Sequence, residues 1–184
     1  MRKVLASGVL AAMLGSAAAA SGIKIEVAGE ANGVITIDLL EDVAPKHVAR
    51  ITELAAEGAY DGVVFHRVID GFMAQTGDVQ HGKDPGNLSA AGRGGSEKPD
   101  VPAEFSDISF ERGVVGMARS QNPNSANSQF FIMFEKGHFL NGQYTVVGRV
   151  TGGQDVVDAI KRGTGPNGSI IGLPDIMKTV TVID

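Results

Sequence analysis

The sequence predicts a mainly β fold, a closed eight-stranded antiparallel β-barrel capped by two α-helices. Many short segments alternate apolar and polar residues or are rich in β-branched residues, which is typical of strands. Only two segments have helical periodicity, and they lie far apart, too sparsely for a sheet in which strands and helices alternate. A barrel suits this pattern because it pairs its strands and leaves the helices to cover its ends.

The helices have the clearest local signals. The first is predicted to begin at Pro45, because the missing N–H of a proline costs nothing in the first helical turn, and to end at Gly58. Val48 and Ile51 lie on its apolar stripe. The second helix is predicted over residues 154–161. The predicted strands cover residues 23–27, 34–39, 63–65, 72–75, 114–118, 130–134, 146–150 and 177–182.

Two glycine-rich segments are predicted to be irregular. Residues 81–102 have no apolar period, which indicates one long ordered loop because strands continue on both sides of it. Residues 163–168, Gly-Thr-Gly-Pro-Asn-Gly, formally match the dinucleotide-binding fingerprint. They follow a helix instead of a strand and contain a proline, so we predict a turn. The four histidines have no metal-ligand spacing, and we expect neither a metal site nor a cofactor.

The first twenty residues have the pattern of a cleavable export signal. Arg2 and Lys3 precede an apolar run over residues 4–14, and small residues up to Ala20 provide a cleavage site. The run is shorter than the roughly 20 residues that span a bilayer. An uncleaved anchor or a buried helix is the alternative. We expect residues 1–20 to be a signal peptide and residues 21–184 to form a single domain without stable membrane association.

Charge and cysteine content narrow the function further. The chain has 16 basic and 21 acidic residues, and removing residues 1–20 leaves 14 against 21, a net charge of −7. This charge argues against a nucleic-acid binder, which needs a basic face. The chain has no cysteine, so its stability comes from packing and not from disulfides. An exported protein without cysteine is expected in the bacterial periplasm.

The residues that could carry chemistry lie in two short segments. Arg67 presents a permanent charge with five N–H donors, although alone it would be interpreted as a surface arginine. Met73 and Gln75 share one face of a strand, and Gln129 and Phe131 do so in a second strand. A buried glutamine needs hydrogen-bond partners, which the backbone of a bound peptide would provide. Neither paired carboxylates nor a thiol accompanies them, which suits chemistry that breaks no covalent bond.

Large apolar side chains accompany these polar groups. Phe72 and Met73 are predicted to point to opposite faces of one strand, and core packing is the alternative explanation for both. Phe139, Leu140 and Tyr144 add a third apolar patch around a turn. Because Phe72, Met73 and Gln75 follow it closely in the sequence, Arg67 is interpreted as a functional residue.

Five motifs resemble those of the cyclophilin family, in the same order and over nearly all of the chain after residue 22. Their number and order make a chance match negligible. The motifs are Phe-His-Arg-Val-Ile at 65–69, Gly-Phe-Met-Ala-Gln at 71–75, Gly-Met-Ala-Arg at 116–119, Asn-Ser-Gln-Phe-Phe-Ile at 127–132 and Phe-Leu-Asn-Gly at 139–142.

The resemblance implies a peptidyl-prolyl cis-trans isomerase, enzyme class 5, of the bacterial exported branch. It implies proline-containing unfolded or flexible polypeptides as partners, and we expect a monomer that binds no nucleic acid. Arg67 would be the catalytic residue. The substrate-binding residues would be Phe72, Met73, Gln75, Ala118, Arg119, Gln129, Phe131, Phe139, Leu140 and Tyr144.

Two positions depart from the common pattern of the family. Phe139 stands where many members have a tryptophan, and Tyr144 stands where many have a histidine. Both departures resemble those of the bacterial exported members. The departure at Phe139 puts cyclosporin sensitivity in doubt. Neither departure threatens catalysis, because neither position supplies the cation.

Two other functions compete with the enzyme. One is a non-catalytic module or chaperone that binds proline-containing peptides on the same fold, in which Arg67 would be dispensable. The other is an exported ligand carrier that uses a hollow barrel. Large strand residues such as Phe65, Phe130 and Ile132 favour a filled barrel.

Overall fold

The computed structural model describes residues 22–184, so the predicted signal peptide at residues 1–20 lies outside the described residues. Within residues 22–184 the chain forms nine strands, two α-helices and two short 3₁₀ turns. The strands are β1 (Gly22–Ala28), β2 (Gly33–Leu39), β3 (Val63–Val64), β4 (Arg67–Ile69), β5 (Met73–Thr76), β6 (Val114–Met117), β7 (Phe130–Met133), β8 (Val146–Gly152) and β9 (Ile176–Ile183). The helices are α1 (Pro45–Ala56) and α2 (Gln154–Ala159), and the 3₁₀ turns are His138–Leu140 and Pro166–Gly168.

The strands form one curled antiparallel sheet in the order β3-β9-β1-β2-β8-β6-β7-β5-β4. The mainly β prediction is confirmed, but the prediction of a closed eight-stranded barrel is wrong. The chain leaves the sheet at Phe65 and His66, which separates β3 from β4 and places them at opposite edges. The sheet is therefore a half-barrel with an opening between these two edge strands.

An irregular segment between α2 and β9 crosses this opening. Gly163 N donates to Val68 O at 2.8 Å, and Ile170 N donates to His66 O at 3.3 Å. Farther along, Phe65 N donates to Asp175 O at 2.9 Å. Backbone groups at the open edge thus find partners in a loop instead of a neighbouring strand, which satisfies them without a closed ladder.

Side chains fill the interior of the half-barrel. Phe65, Phe130 and Ile132 are buried there, as predicted, which disfavours a carrier with a hollow barrel. We call this interior the barrel core, which includes Ile25, Ile35, Ile37, Leu54, Phe65, Ala74, Met117, Phe130, Ile132 and Met177.

A second, smaller group of buried side chains lies on the other face of the sheet. Alternation along β7 divides its residues between the two groups, because successive side chains of a strand point to opposite faces. Phe130 and Ile132 enter the barrel core, whereas Phe131 and Met133 do not. We call the second group the pocket cluster, which consists of Met73, Phe110, Val114, Phe131, Met133, Leu140 and Val146.

The helices lie close to their predicted positions. In α1 the apolar stripe with Val48 and Ile51 is buried, as predicted. The Glu104 carboxylate accepts hydrogen bonds from Lys46 N and His47 N, both at 3.1 Å, and so caps the first turn. Helix α2 is shorter than predicted because the backbone is already extended at Ile160. No helix among residues 22–184 is long and apolar enough to cross a membrane.

Residues 81–102 form a long loop without a helix or an extended strand, as predicted. Asp78 anchors this loop through hydrogen bonds. Its carboxylate accepts backbone N–H groups of Gln80, His81, Gly92 and Gly94 at 2.7–3.1 Å. Burial alone would raise the pKa of Asp78, but these four donors hold the pKa below its usual value. The contact fixes the position of Gly94, whose carbonyl reaches the site described next.

Candidate active site

Three adjacent strands place Arg67, Gln75 and Phe131 in one row. Arg67 of β4 pairs with Gln75 of β5, and Gln75 pairs with Phe131 of β7. Directly paired residues of an antiparallel sheet point to the same face. The row therefore combines a cation, an amide and an aromatic ring on the face that carries the pocket cluster.

A chain of hydrogen bonds connects the cation to the long loop. Arg67 Nη1 donates to Gln75 Oε1 at 3.1 Å, and Gln75 Nε2 donates to Gln129 Oε1 at 2.9 Å. Gln129 Nε2 in turn donates to Gly94 O at 2.8 Å. Both glutamines were predicted to bind a peptide backbone, and here they also orient Arg67.

A cavity of about 270 Å³ adjoins this row. A second cavity of about 310 Å³, more polar, lies beside it and shares Gln75, Ala118 and Arg119 with it. Of the predicted site residues only Gln129 borders the second cavity and not the first. The first cavity is lined by Arg67, Phe72, Met73, Gln75, Ala118, Arg119, Phe131, Phe139, Leu140 and Tyr144.

Aromatic rings shape the walls of this first cavity. Phe131 stacks on Phe110 at a centroid distance of 5.8 Å and meets Tyr144 edge to face, also at 5.8 Å. Phe72 and Phe139 lie 5.4 Å apart. Phe139 is 65% exposed, so it forms a rim, whereas Phe131 is 5% exposed and forms a wall. The cavity is thus walled mainly by aromatic and aliphatic side chains, and its volume has room for one small ring.

The prediction that Phe72 and Met73 point to opposite faces does not describe their placement, since both line the cavity. The reason is that β5 begins at Met73, so Phe72 belongs to the preceding turn and is not bound by strand alternation. Leu140 lies in the 3₁₀ turn and is almost fully buried against the pocket.

Arg119 lines both cavities and holds part of their wall in place. Its Nη1 donates to Ser120 O and its Nη2 to Gln143 O, both at 2.9 Å. The guanidinium carbon lies 4.3 Å from the centre of the Tyr144 ring, within the range of a cation–π contact. These contacts connect two loops, so the side chain of Arg119 shapes the pocket wall.

Arg67 is charged at neutral pH, whereas its neighbour His66 is not. Burial lowers the pKa of Arg67, but a guanidinium remains protonated in proteins. Burial also lowers the pKa of His66 to about 4, so the imidazole is neutral at pH 7. The neutral imidazole leaves the guanidinium groups of Arg67 and Arg119 as the permanent cations that line the cavity.

Sequence reasoning missed Asn167, which contacts Arg67 twice. Arg67 Nε donates to Asn167 O and Nη2 to Asn167 Oδ1, each at 3.0 Å. The turn at residues 163–168 was predicted as a turn, which the structure confirms. Its Asn-Gly pair signals a turn, but nothing in the sequence places it beside a residue 100 positions away.

Comparison with known proteins identifies the family. The family model described as cyclophilin type peptidyl-prolyl cis-trans isomerase matches residues 23–182. A probable peptidyl-prolyl cis-trans isomerase of Brucella suis is 59% identical over 153 residues, covering 82% of this chain and 78% of the relative. Peptidyl-prolyl cis-trans isomerase B of Escherichia coli is 37% identical over 163 residues, covering 82% of this chain and 94% of the relative.

Solved structures agree with this result. The crystal structure of a cyclophilin from Hirschia baltica matches with a TM-score of 0.70 and 27% identity, covering 87% of this chain and 73% of the other. A cyclophilin-type isomerase of Cryptosporidium parvum, crystallised in the presence of the dipeptide Ala-Pro, matches with a TM-score of 0.75 and 25% identity. That match covers 89% of this chain and 99% of the other. These matches confirm the predicted family and the isomerase class, and they favour the enzyme over the alternative of a non-catalytic binding module. The chain belongs to the cyclophilin-type peptidyl-prolyl cis-trans isomerases.

Proposed function

We propose that this isomerase assists the folding of exported proteins, with Arg67 as the catalytic residue that stabilises the twisted X-Pro amide. The observation that carries the proposal is the position of the guanidinium, at the edge of an apolar pocket that accepts one small ring. Gln75 holds the guanidinium from one side. The site therefore pairs a proline-sized pocket with a fixed donor.

The physical role of Arg67 follows from the electronic structure of the amide. In the planar amide the nitrogen lone pair is delocalised into the carbonyl, and rotation has a barrier of about 18–20 kcal/mol. In the twisted transition state the lone pair localises on the proline nitrogen and accepts a hydrogen bond. Arg67 donates to it there and much less well in either planar state, which is preferential binding of the transition state.

One hydrogen bond supplies only part of the effect. An acceleration of about 10⁵ requires about 7 kcal/mol, whereas a charge-assisted hydrogen bond contributes about 1.5–3 kcal/mol. The rest is assigned to the pocket. Phe72, Met73, Phe131 and Leu140 clamp the proline ring, so that only the other half of the amide rotates, and the apolar walls keep water away.

The substrates proposed are proline-containing polypeptides that are unfolded or flexible. The Cryptosporidium parvum relative was crystallised in the presence of Ala-Pro, and the same fold and a pocket of suitable size support a similar ligand here. With the proline in the first cavity, the backbone of the substrate that flanks it can extend past Gln75 into the second cavity. Only an exposed, extended chain enters two adjacent surface cavities in this way.

The proposed location is the bacterial periplasm, where the protein acts as a monomer. The basic and apolar pattern of residues 1–20 supports export, and the lack of cysteine suits that compartment. Cell fractionation and N-terminal sequencing of the protein test this part. A mature N-terminus near Ser21 in the periplasmic fraction is expected, and a cytoplasmic protein that keeps residues 1–20 would refute it.

The catalytic proposal is tested by a protease-coupled isomerisation assay on a short Ala-Pro peptide. Arg67→Ala is expected to lose most turnover and keep the fold, because Arg67 is only partly buried and belongs to neither apolar cluster. Arg149→Ala is the matched control, an exposed arginine on β8 that does not line the pocket. Wild-type turnover in a folded Arg67→Ala protein would sink the assignment.

A further inference from the structure

We propose that Asn167 is a positioning residue, which sets the orientation of the Arg67 guanidinium; this inference depends on the catalytic role proposed for Arg67. The main-chain oxygen of Asn167 accepts from Nε at 3.0 Å, and its side-chain Oδ1 accepts from Nη2 at 3.0 Å. Two acceptors on one residue thus hold two N–H groups of the planar fork.

The hydrogen bonds of Arg67 within the described residues leave two of its donors unoccupied. A guanidinium has five N–H groups. Asn167 takes the N–H of Nε and one on Nη2, and Gln75 takes one on Nη1. Among the contacts within residues 22–184, one N–H on each terminal nitrogen is left to act toward a substrate. If Gln75 were the only acceptor, the guanidinium could rotate about a single hydrogen bond, and the two remaining donors would have no fixed direction.

The backbone of the turn is built so that this side chain reaches Arg67. Asn167 has φ 55°, the only positive φ of a non-glycine residue within residues 22–184. Such a conformation suits glycine best, and asparagine tolerates it. A glycine here would make the turn at less strain but would bring no Oδ1. Asparagine combines the turn conformation with an acceptor for the cation.

The turn is also fixed against the strand that carries Arg67. Gly163 N donates to Val68 O, and a Cβ added to Gly168 would lie 2.4 Å from Ile69 Cγ1, so the turn packs directly on β4. An acceptor on a mobile loop would not orient a guanidinium. Here the turn packs directly against the strand that carries the arginine, as positioning requires.

Asn167→Gly is the variant that separates positioning from turn formation. It removes only the Oδ1 contact, keeps the main-chain acceptor and suits φ 55°. We expect kcat to fall about tenfold, which is about 1.4 kcal/mol. KM should stay within about twofold and the melting temperature should not fall, because the proline pocket and the turn are unchanged. A residue that serves only the turn would show no loss of kcat.

Two further measurements complete the test. Asn32→Gly is the matched control, since Asn32 also precedes a glycine in an exposed turn but contacts Gly29 and not Arg67. In an Arg67→Ala background, Asn167→Gly should have no additional effect on the residual turnover, because it acts through the guanidinium.

The outcomes are distinguishable. Wild-type kcat in Asn167→Gly, or an equal loss of kcat in the Arg67→Ala background, would overturn the positioning role and leave Arg67 as the catalytic residue. Full turnover in Arg67→Ala itself would instead refute the proposed mechanism. A tenfold loss that disappears in the Arg67→Ala background supports both.

Discussion

Gly116 of β6 is the position where a single methyl group should damage the pocket most directly. A Cβ placed on Gly116 would lie 2.5 Å from Phe131 Cζ and 2.6 Å from Phe110 Cε1. Carbon atoms in contact are normally about 3.5–4.0 Å apart. In Gly116→Ala, both rings must therefore move away from the new methyl group by about 1 Å, or the strand itself must shift.

The two rings differ in how much room they have to move. Phe110 is completely buried, whereas Phe131 borders the cavity of about 270 Å³ and can shift into it. Overpacking of this kind destabilises by about 1–3 kcal/mol. A shift of about 1 Å in a binding group can lower activity by about 10²-fold. We expect Gly116→Ala to lower kcat/KM by about 10- to 100-fold, with a loss of stability within the stated range.

Urea unfolding and the Ala-Pro isomerisation assay measure both effects. Gly152→Ala on β8 is the control, because its added Cβ would meet Thr36 at 3.5 Å, an ordinary contact. It should keep full activity and change stability by less than about 0.5 kcal/mol. If folded Gly116→Ala retains wild-type kcat/KM, Phe131 is not the wall against which the substrate packs, and the reasoning is refuted.

Three other perturbations act on the supports of the site. Gln75→Ala should lower kcat/KM about tenfold with little change in stability, because Arg67 loses one of its acceptors and the half-buried glutamine adds little packing. Asp78→Asn should lower the free energy of unfolding in urea by about 2–3 kcal/mol, because four backbone donors lose a charged acceptor. The wild-type free energy of unfolding should fall by up to about 3 kcal/mol between pH 7 and pH 4 through His66. Its pKa rises from about 4 in the fold to about 6.5 on unfolding, so the unfolded chain binds the extra proton as the pH falls.

Each of these expectations has a clear contradiction. Unchanged turnover in Gln75→Ala would mean that Arg67 is oriented without it. An Asp78→Asn protein as stable as wild type would mean that water replaces the carboxylate without loss. For His66 the test is the difference in pH dependence between wild type and His66→Phe, a ring that binds no proton. Parallel curves would show that other groups cause the acid destabilisation.

Local signals predicted those parts of the fold that depend on nearby residues. Helix α1 begins at Pro45 as expected, because the proline and the apolar stripe both lie within it. Whether the sheet closes into a barrel or stays open could not be predicted from nearby residues. It depends on whether β3 and β4 pair, and the backbone partners at that edge come from Gly163 and Ile170, far away in the chain.

The site shows the same division. Residues inside the family motifs were predicted, and the structure gathers them around two adjoining cavities, although their individual roles stay predictions. Asn167 lies outside those motifs, and its proposed positioning role depends on a contact with Arg67 across the opening of the half-barrel. The double use of Gln75 and Gln129 was also hidden, since a sequence does not show which partner an amide binds.

The separation of the pocket cluster from the barrel core has a consequence for how this enzyme can change. Phe131 lines the pocket and Met133 packs in the pocket cluster, while their neighbours Phe130 and Ile132 support the half-barrel from the opposite face. Substitutions at Phe131 are expected to change the shape of the pocket while Phe130 and Ile132 continue to stabilise the sheet. The two faces of β7 can therefore diverge at different rates, which makes the pocket a suitable starting point for directed evolution of selectivity.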